Sequence, residues 1–263
     1  MIIIIFLVLI AFSARWNWWR PYSKGISILM YHKIGVPPEN SKLKKLWVTS
    51  ENFRKQMSYL KKHKYEVVAF KTLQSKIENS EKINPKTVII TFDDGYKNNM
   101  ELGLPILKEF NFPSVIFLVV NAIGNDNFWH DPETESRISM LNEDDISKIS
   151  PAEVEFGAHT LNHKNLEKLQ LDQVEKEIIE SKEVLENKLK IEISAFAYPY
   201  GSGAFVKGIQ DVVRKAGFKA AVSIKQGKAD LNDNPFCLKR ILIRGDDTMF
   251  DFHLNLTRGK SRF

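Results

Sequence analysis

The feature that most constrains the fold of this chain is the alternation of short apolar runs with amphipathic helical segments from about Gly25 onward. In one such segment Phe53, Met57 and Leu60 share a helical face. Ser50 precedes them as a candidate helix cap. Strands that are each followed by a helix predict a parallel sheet covered by helices, either closed as a (β/α) barrel or open and doubly wound. The strand-like runs are ISILMYH, YEVVAF, TVIITF, SVIFLVV, VEFGAH, ISAFAY, FKAAVSI and LKRILI.

Polar side chains stand at the ends of several of these predicted strands. In both architectures ligands bind at the carboxyl ends of the strands. Segments that are distant in sequence are therefore expected to bring titratable groups to one rim. These residues are His32, Asp93, Asp94, His159, Tyr198, Arg244 and Asp246.

The N-terminus is an unbroken apolar run, MIIIIFLVLIAFSA, followed by the Trp-rich stretch RWNWWRPYSK. The run is short for a membrane-spanning helix, which needs about 20 residues, unless it extends through the Trp-rich stretch. A cleaved signal peptide is the alternative, but a charged segment before the apolar run is missing. We expect an N-terminal apolar helix, a membrane anchor or signal-like segment, over residues 1–24 and one continuous domain over residues 25–263.

Charge and cysteine content add two limits. The net charge is +6, but Lys residues are interleaved with Glu and Asp, as on a solvated helix face, so no nucleic-acid partner is expected. Cys237 is the single cysteine and cannot form an internal disulfide.

The basic residues after the apolar run favour a cytoplasmic domain by the positive-inside rule, but folded domains weaken that rule. We expect a membrane-associated protein whose sidedness stays open, at the cell envelope or the cytoplasmic face.

The stretch TFDDGY places Asp93 and Asp94 directly after a strand that reads as buried. Neighbouring side chains at a strand end point in different directions, so one carboxylate can bind a cation while the other accepts a proton. Gly95 permits the sharp turn that this arrangement needs. Ordinary turn chemistry is the competing interpretation of the same three residues.

The stretch GAHTLNH places His159 and His163 four residues apart after the strand VEFGA. In a helix-like turn both imidazoles lie on one face and can reach one ion. Two His and one carboxylate are a common catalytic zinc set and also the facial triad of non-haem iron. Such a His pair alone is more often unrelated, but the two Asp at the same rim favour a metal site.

The stretch FAYPYG lies at the end of a further strand. Pro199 fixes its own backbone and Gly201 frees the chain to turn, so the backbone N–H of Tyr200 can be presented to the pocket. An N–H placed there can stabilise an oxyanion. An ordinary aromatic turn is the alternative.

Together, TFDDGY, HTLNH and FAYPYG, in this order and spacing, resemble the motifs of the polysaccharide deacetylase family (NodB homology, carbohydrate esterase 4). The similarity extends from ILMYHKIG to LKRILIRGDD. The resemblance implies an α/β fold, a distorted (β/α) barrel with seven or eight parallel strands. It also implies a divalent metal, zinc or a similar ion, and removal of N-acetyl groups from amino sugars.

The resemblance also implies roles for individual residues. Asp93 matches the general base, which acts on a metal-bound water as the nucleophile. Tyr200 matches the position whose backbone N–H completes the oxyanion hole. The matches to the metal ligands are Asp94, His159 and His163.

Two positions depart from the family pattern. Many members have Arg where this chain has Ala197, and that Arg steadies the base, so Asp93 needs another partner. Arg240 or Arg244 on the last predicted strand is the candidate. Many members also carry a late His as general acid, whereas the last strand here reads ILIRGDD.

The missing acid directs attention to other His residues. His32 in MYHKIG ends the first strand and is the candidate catalytic acid, although a structural role is an open alternative. His130 in NFWHD is a weaker candidate, and Trp129 beside it can stack on a sugar ring. The residues expected to contact substrate are Trp129, Tyr198, Pro199 and Arg244.

We therefore predict a metal-dependent hydrolase that removes N-acetyl groups from N-acetylhexosamine units of a glycan or glycolipid. The alternatives are a deacetylase of a lipid-linked sugar or of a non-sugar amide, and an inactive glycan-binding module. The presence of Asp93 favours turnover, because binding alone does not need a second carboxylate at the metal.

Overall fold

The computed structural model describes Ile10, Ser13 and residues 15–262. In that part of the chain, seven parallel strands close into a barrel with the spatial order first, tenth, ninth, eighth, seventh, sixth, fifth and back to the first. The predicted (β/α) barrel is thus confirmed, and the open doubly wound sheet is not formed. In chain order the strands are β1 (Ser27–Tyr31), β2 (Lys33–Ile34), β3 (Trp47–Val48), β4 (Glu66–Val67), β5 (Thr87–Phe92), β6 (Ser114–Leu118), β7 (Val154–Ala158), β8 (Ala195–Ala197), β9 (Ala220–Gln226) and β10 (Leu238–Leu242).

Three short strands lie outside the closed ring. β4, from the predicted strand YEVVAF, pairs only with β5, and β2 and β3 form a separate two-stranded pair. YEVVAF is shorter than predicted because the chain turns at Ala69, where a helix begins. The barrel therefore has the lower of the two predicted strand numbers.

Helices cover the outside of the barrel. Thr49, rather than Ser50, caps the first of them, because its hydroxyl accepts a hydrogen bond from the backbone N–H of Asn52. β9 and β10 are joined by the loop 227–237 instead of a helix. The helices are α1 (Ser50–Lys62), α2 (Phe70–Glu78), α3 (Leu104–Phe110), α4 (Glu143–Ser147), α5 (Leu171–Glu175), α6 (Ser181–Leu189), α7 (Lys207–Lys215) and α8 (Met249–Arg258).

Side chains that alternate along β5 belong to two different clusters of buried apolar residues. Ile90 and Phe92 belong to the cluster that includes Phe53 of α1, whereas Ile89 belongs to a second cluster with residues of β1, β6, β8, β9 and β10. Because side chains of a strand alternate, Thr91 and Asp93 follow Ile89 on the face that points into the barrel. This register brings a carboxylate to the end of the barrel interior.

The predicted N-terminal apolar helix falls mostly on residues outside those the structure describes. Within the described residues, no helix combines the length and the apolar character needed to cross a bilayer. The Trp-rich stretch that follows packs on α8 and on the residues after it: Trp16 Nε1 donates to Asp251 Oδ1 at 2.9 Å, and the backbone N–H of Asn17 donates to the carbonyl of Ser261 at 2.8 Å. Part of the Trp-rich stretch is thus attached to the barrel domain.

Candidate active site

Asp93 is buried in the barrel and paired with Arg240. The Nη1 and Nη2 atoms of Arg240 lie 2.6 and 2.7 Å from Oδ1 and Oδ2 of Asp93. The guanidinium also donates to the Ser223 carbonyl and to Thr91 Oγ1, at 2.9 and 3.2 Å. Burial favours the neutral carboxyl, but the charge and hydrogen bonds of Arg240 outweigh it and lower the pKa of Asp93. Of the two predicted partners for the base, Arg240 is the one that the structure places there.

Asp94 and two imidazoles form a compact buried cluster beside this pair. Oδ1 of Asp94 lies 3.4 Å from Nε2 of His159 and 3.2 Å from Nε2 of His163. One ligand atom from each residue lies within 4.8 Å of the others, and all three side chains are buried. The structure therefore brings together the three residues predicted as metal ligands.

The hydrogen bonds around this cluster fit a cation. Nδ1 of His159 lies 2.7 Å from the carbonyl of Ala197, which can only accept, so Nδ1 carries the proton and Nε2 presents a lone pair. Oδ1 of Asp94 is buried and has no properly oriented hydrogen-bond donor among the described residues. Two electron-rich atoms that face each other without a donor need a positive charge between them. Two imidazoles and one carboxylate are a donor set that a catalytic divalent metal accepts.

His163 is held between two aromatic residues. The Trp129 ring stacks on the imidazole, with ring centroids 4.5 Å apart, and the Tyr200 ring meets it edge-on at 4.6 Å. The hydroxyl of Tyr200 lies 3.1 Å from Nδ1 of His163. Outer contacts of this kind fix the orientation of a ligating imidazole.

Unusual backbone conformations place several of these side chains. Asp94, His163 and Tyr200 all have positive φ, at 77°, 56° and 57°, which residues with a side chain seldom adopt. Gly95 continues the turn with φ 85°, and a Cβ there would come within 2.8 Å of Leu118 Cδ2. The predicted need for glycine after the two carboxylates is confirmed.

A cavity of about 480 Å³ opens over the cluster. His32 and His130 both border it, and burial lowers the pKa of each, that of His130 to about 4. Nδ1 of His32 is buried and has no hydrogen-bond partner in the described chain. The residues that complete the lining are Met30, Leu43, Leu46, Asp93, Asp94, Trp129, His159, His163, Tyr198, Tyr200, Ile224, Gln226 and Leu242.

Two predicted substrate contacts are not brought to this cavity. Among the described residues that line it, neither Pro199 nor Arg244 is present. The strand β10 ends at Leu242, so Arg244 lies past the rim, where it pairs with Asp246 at 3.0 Å and borders a separate cavity of about 140 Å³. Tyr198 borders the main cavity, but its hydroxyl donates to the carbonyl of Phe236.

One buried ion pair near the site was missed by the sequence analysis. Lys33 Nζ lies 2.9 Å from Oε1 of Glu135, and both side chains are almost entirely excluded from solvent. The only signal for it is a Lys placed directly after His32 at the exit of an apolar strand. Its acidic partner lies 102 residues away in a loop, where sequence gives no indication of pairing.

Comparison with known proteins agrees with this geometry. The poly-β-1,6-N-acetyl-D-glucosamine N-deacetylase of Staphylococcus aureus is 26% identical over 216 residues, covering 79% of this chain and 71% of that protein. The structure of BC0361, a polysaccharide deacetylase from Bacillus cereus, is similar with a TM-score of 0.72 and 25% identity, covering 90% of this chain and 70% of that one.

The deacetylase PplD of Streptococcus pyogenes, solved in complex with acetate, shares the fold, with a TM-score of 0.75 and 23% identity over 90% of this chain and 99% of that chain. The family model described as polysaccharide deacetylase matches residues 80–221, which is more than half of the chain and contains all three motifs. On this match, the chain belongs to the polysaccharide deacetylase family.

Proposed function

We propose that this chain is a metal-dependent N-deacetylase that acts on N-acetylhexosamine units of a glycan, with poly-N-acetylglucosamine as the model substrate. The observation that carries the proposal is the juxtaposition of Asp93, held ionised by Arg240, with the Asp94, His159 and His163 cluster. The adjoining cavity of about 480 Å³ is large enough for a sugar residue. The substrate named for the Staphylococcus aureus relative supports the choice of polymer.

The residues of the chain would divide the reaction among them. Asp94, His159 and His163 would hold the ion, for which we propose zinc because two imidazoles and a carboxylate suit it. When bound, such an ion supplies Lewis acidity that polarises an acetamide carbonyl and acidifies water. Asp93 would take a proton on its carboxylate from the attacking water, and the backbone N–H of Tyr200 would donate to the developing oxyanion.

His32 would deliver the proton to the leaving nitrogen. Its imidazole borders the cavity with an unpartnered Nδ1, and its carbonyl is fixed by Asn99 Nδ2 at 2.8 Å. Because burial lowers the pKa of His32, the ring would start neutral, and the proton that it delivers would be the one that Asp93 takes from the attacking water. Trp129, which lines the cavity, would contribute its indole N–H to the sugar-binding wall.

Acetate release tests the proposal directly. The purified chain, incubated with N-acetylglucosamine oligomers, is expected to release acetate, to lose this activity with a chelator, and to regain it when zinc is added back. Asp93→Asn is expected to retain the metal but lose turnover, whereas His159→Ala is expected to lose both. Acetate release that a chelator does not affect would contradict the metal role.

Two alternatives are separated by the same assay. A glycan-binding module would bind the oligomers without releasing acetate. A lipid-linked sugar or non-sugar amide would be deacetylated in preference to the oligomers. The apolar share of the lining, with Met30, Leu43, Leu46 and Leu242, favours including lipid-linked substrates in the panel.

We also propose that the N-terminal segment keeps the protein membrane-associated. The support is the apolar run of residues 1–14 and the Trp and Arg residues that follow it. Full-length chain is expected in the membrane fraction of cells, and a chain that lacks residues 1–14 in the supernatant. Recovery of both in the supernatant would contradict this proposal.

A further inference from the structure

Two loops extend the cavity beyond the strand ends. The loop between β2 and β3 contributes Leu43 and Leu46 to the lining. The long segment between β6 and α4 contributes Trp129 and His130. Neither pair of residues lies on a barrel strand, so the barrel alone does not fix their positions.

Glu135 connects both loops to β2. Its Oε1 accepts from Lys33 Nζ at 2.9 Å, and its Oε2 accepts from Ser41 Oγ at 2.7 Å and from the backbone N–H of Leu43 at 3.4 Å. Lys33 is the first residue of β2, Ser41 and Leu43 belong to the first loop, and Glu135 belongs to the second. One carboxylate thus joins three segments.

Lys33 is placed beside the site as well. Its Nζ lies 4.8 Å from the ring centroid of Tyr96, which follows the two carboxylates and Gly95, and 5.5 Å from that of Trp47. The side-chain exposures of Lys33 and Glu135 are 0% and 2%. Burying an ion pair this completely contributes little net stability, because desolvation offsets the attraction.

The loop that carries Trp129 transmits the position of Glu135. Asn127 braces it from within: its Oδ1 accepts from the N–H of Ile138 at 2.7 Å, and its Nδ2 donates to the carbonyl of Ser136 at 3.0 Å. These bonds link the part of the loop next to Trp129 to the part next to Glu135. We therefore expect a shift of Glu135 to change the position of Trp129, which stacks on His163.

We propose that Lys33 and Glu135 are positioning residues that set the substrate-binding wall of the cavity through the loop of Trp129. The inference rests on the proposed function, since it assigns the pair a role in holding the sugar rather than in the proton transfers. Trp129 Nε1 is buried, has no partner among the described residues, and belongs to a side chain that lines the cavity. Whether this indole N–H can donate a hydrogen bond to a bound sugar depends on the position in which the loop holds Trp129.

The test uses the full chain with Lys33→Met, Glu135→Gln and the double variant Lys33→Met/Glu135→Met. The matched control is Lys207→Met, which removes an exposed ion pair with Asp211 on α7. For N-acetylglucosamine oligomers, each single variant is expected to raise KM about tenfold or more, with kcat within about threefold and metal content unchanged. The control is expected to match the wild type.

The double variant separates positioning from stability. It leaves no unpaired buried charge, so its melting temperature is expected to recover relative to the single variants while KM stays raised. Hydrogen exchange of the amides of residues 126–140 is expected to accelerate in all three variants. An unchanged KM, or a KM that recovers together with the melting temperature, would overturn the proposal.

The exchange measurement needs no turnover. If the wild type releases no acetate from any substrate, the proposed function is wrong. Hydrogen exchange still tests whether Lys33 and Glu135 hold the loop of Trp129 in place. Exchange of residues 126–140 at the wild-type rate in the variants would then refute the positioning role on its own.

Discussion

The guanidinium of Arg240 meets both carboxylate oxygens of Asp93, at 2.6 and 2.7 Å, from a strand 147 residues further along the chain. The family pattern places an Arg at the position of Ala197, and here the same charge is supplied from β10. Two parallel hydrogen bonds fix the orientation of the carboxylate as well as its charge. The proposed base is therefore held in the state and direction that proton abstraction requires.

Replacement of Arg240 should reduce turnover without removing the metal. Arg240→Lys keeps the charge but cannot make two parallel bonds, so we expect kcat to fall about ten- to hundredfold. Arg240→Met should lower kcat further and reduce the free energy of unfolding by about 3–5 kcal/mol, because Asp93 stays buried without a partner. Steady-state kinetics, metal analysis and urea unfolding measure these effects. Wild-type kcat in Arg240→Met would contradict the role.

The identity of the acid can be tested with two leaving groups. His32→Ala is expected to lower kcat on N-acetylglucosamine oligomers by about a hundredfold or more, since an amine must be protonated to leave. On 4-nitrophenyl acetate, whose leaving group needs no proton, the same variant should retain most of its activity. His130→Ala serves as the comparison: a lining residue that is not the acid should affect the two substrates to a similar extent. Equal losses on both substrates in His32→Ala would count against the assignment.

The hydroxyl of Tyr200 should tune metal affinity. It lies 3.1 Å from Nδ1 of His163, and removal of such an outer hydrogen bond typically weakens metal binding about 10- to 100-fold. Tyr200→Phe keeps the ring and the backbone N–H. We therefore expect weaker zinc binding in metal-buffer competition, with kcat at saturating zinc within a few-fold of the wild type. Unaltered affinity would show that the contact does not orient the imidazole.

Asp247 should make stability depend on pH. Burial raises its pKa from 3.8 to about 6, against the opposing effects of the Arg244 N–H and Arg262. A carboxyl whose pKa is raised by folding stabilises the native state fully below about pH 4, and this contribution is lost as the pH rises through 6. Asp247→Asn should therefore exceed the wild type in unfolding free energy at pH 8, by at most about 3 kcal/mol. The two proteins should converge below about pH 4 in urea titrations, and a constant difference would contradict the assignment.

The residues at the strand ends were predictable because their positions follow from local pattern. Asp94 and His159 lie within two residues of the end of a recognisable apolar strand, His163 follows His159 by four residues, and parallel strands bring such ends to one rim. The choice between Arg240 and Arg244 was not predictable. It depends on where β10 ends and which of its side chains point inward, because Arg240 lies within the apolar run LKRILI and Arg244 directly follows it.

The Lys33 and Glu135 pair was beyond prediction for a different reason. Glu135 lies in a segment with no periodic pattern, and its partner is fixed only by the path of two loops. A buried charge in a loop has no signature in local sequence, because the same composition is typical of a solvated turn. Long-range packing alone decides the contact.

The register shift between β9 and β10 has a consequence for how this barrel tolerates change in chain length. Leu238 pairs with Val222 and Arg240 with Gln226, so two residues of β10 span four of β9. Because of this shift the Ser223 carbonyl is free to accept a hydrogen bond from Nε of Arg240. That bond orients the guanidinium toward Asp93. Removing the two surplus residues of β9 would restore a regular register, but it would also displace the Ser223 carbonyl and turn Arg240 away from Asp93. The irregular register is therefore part of what positions the proposed base.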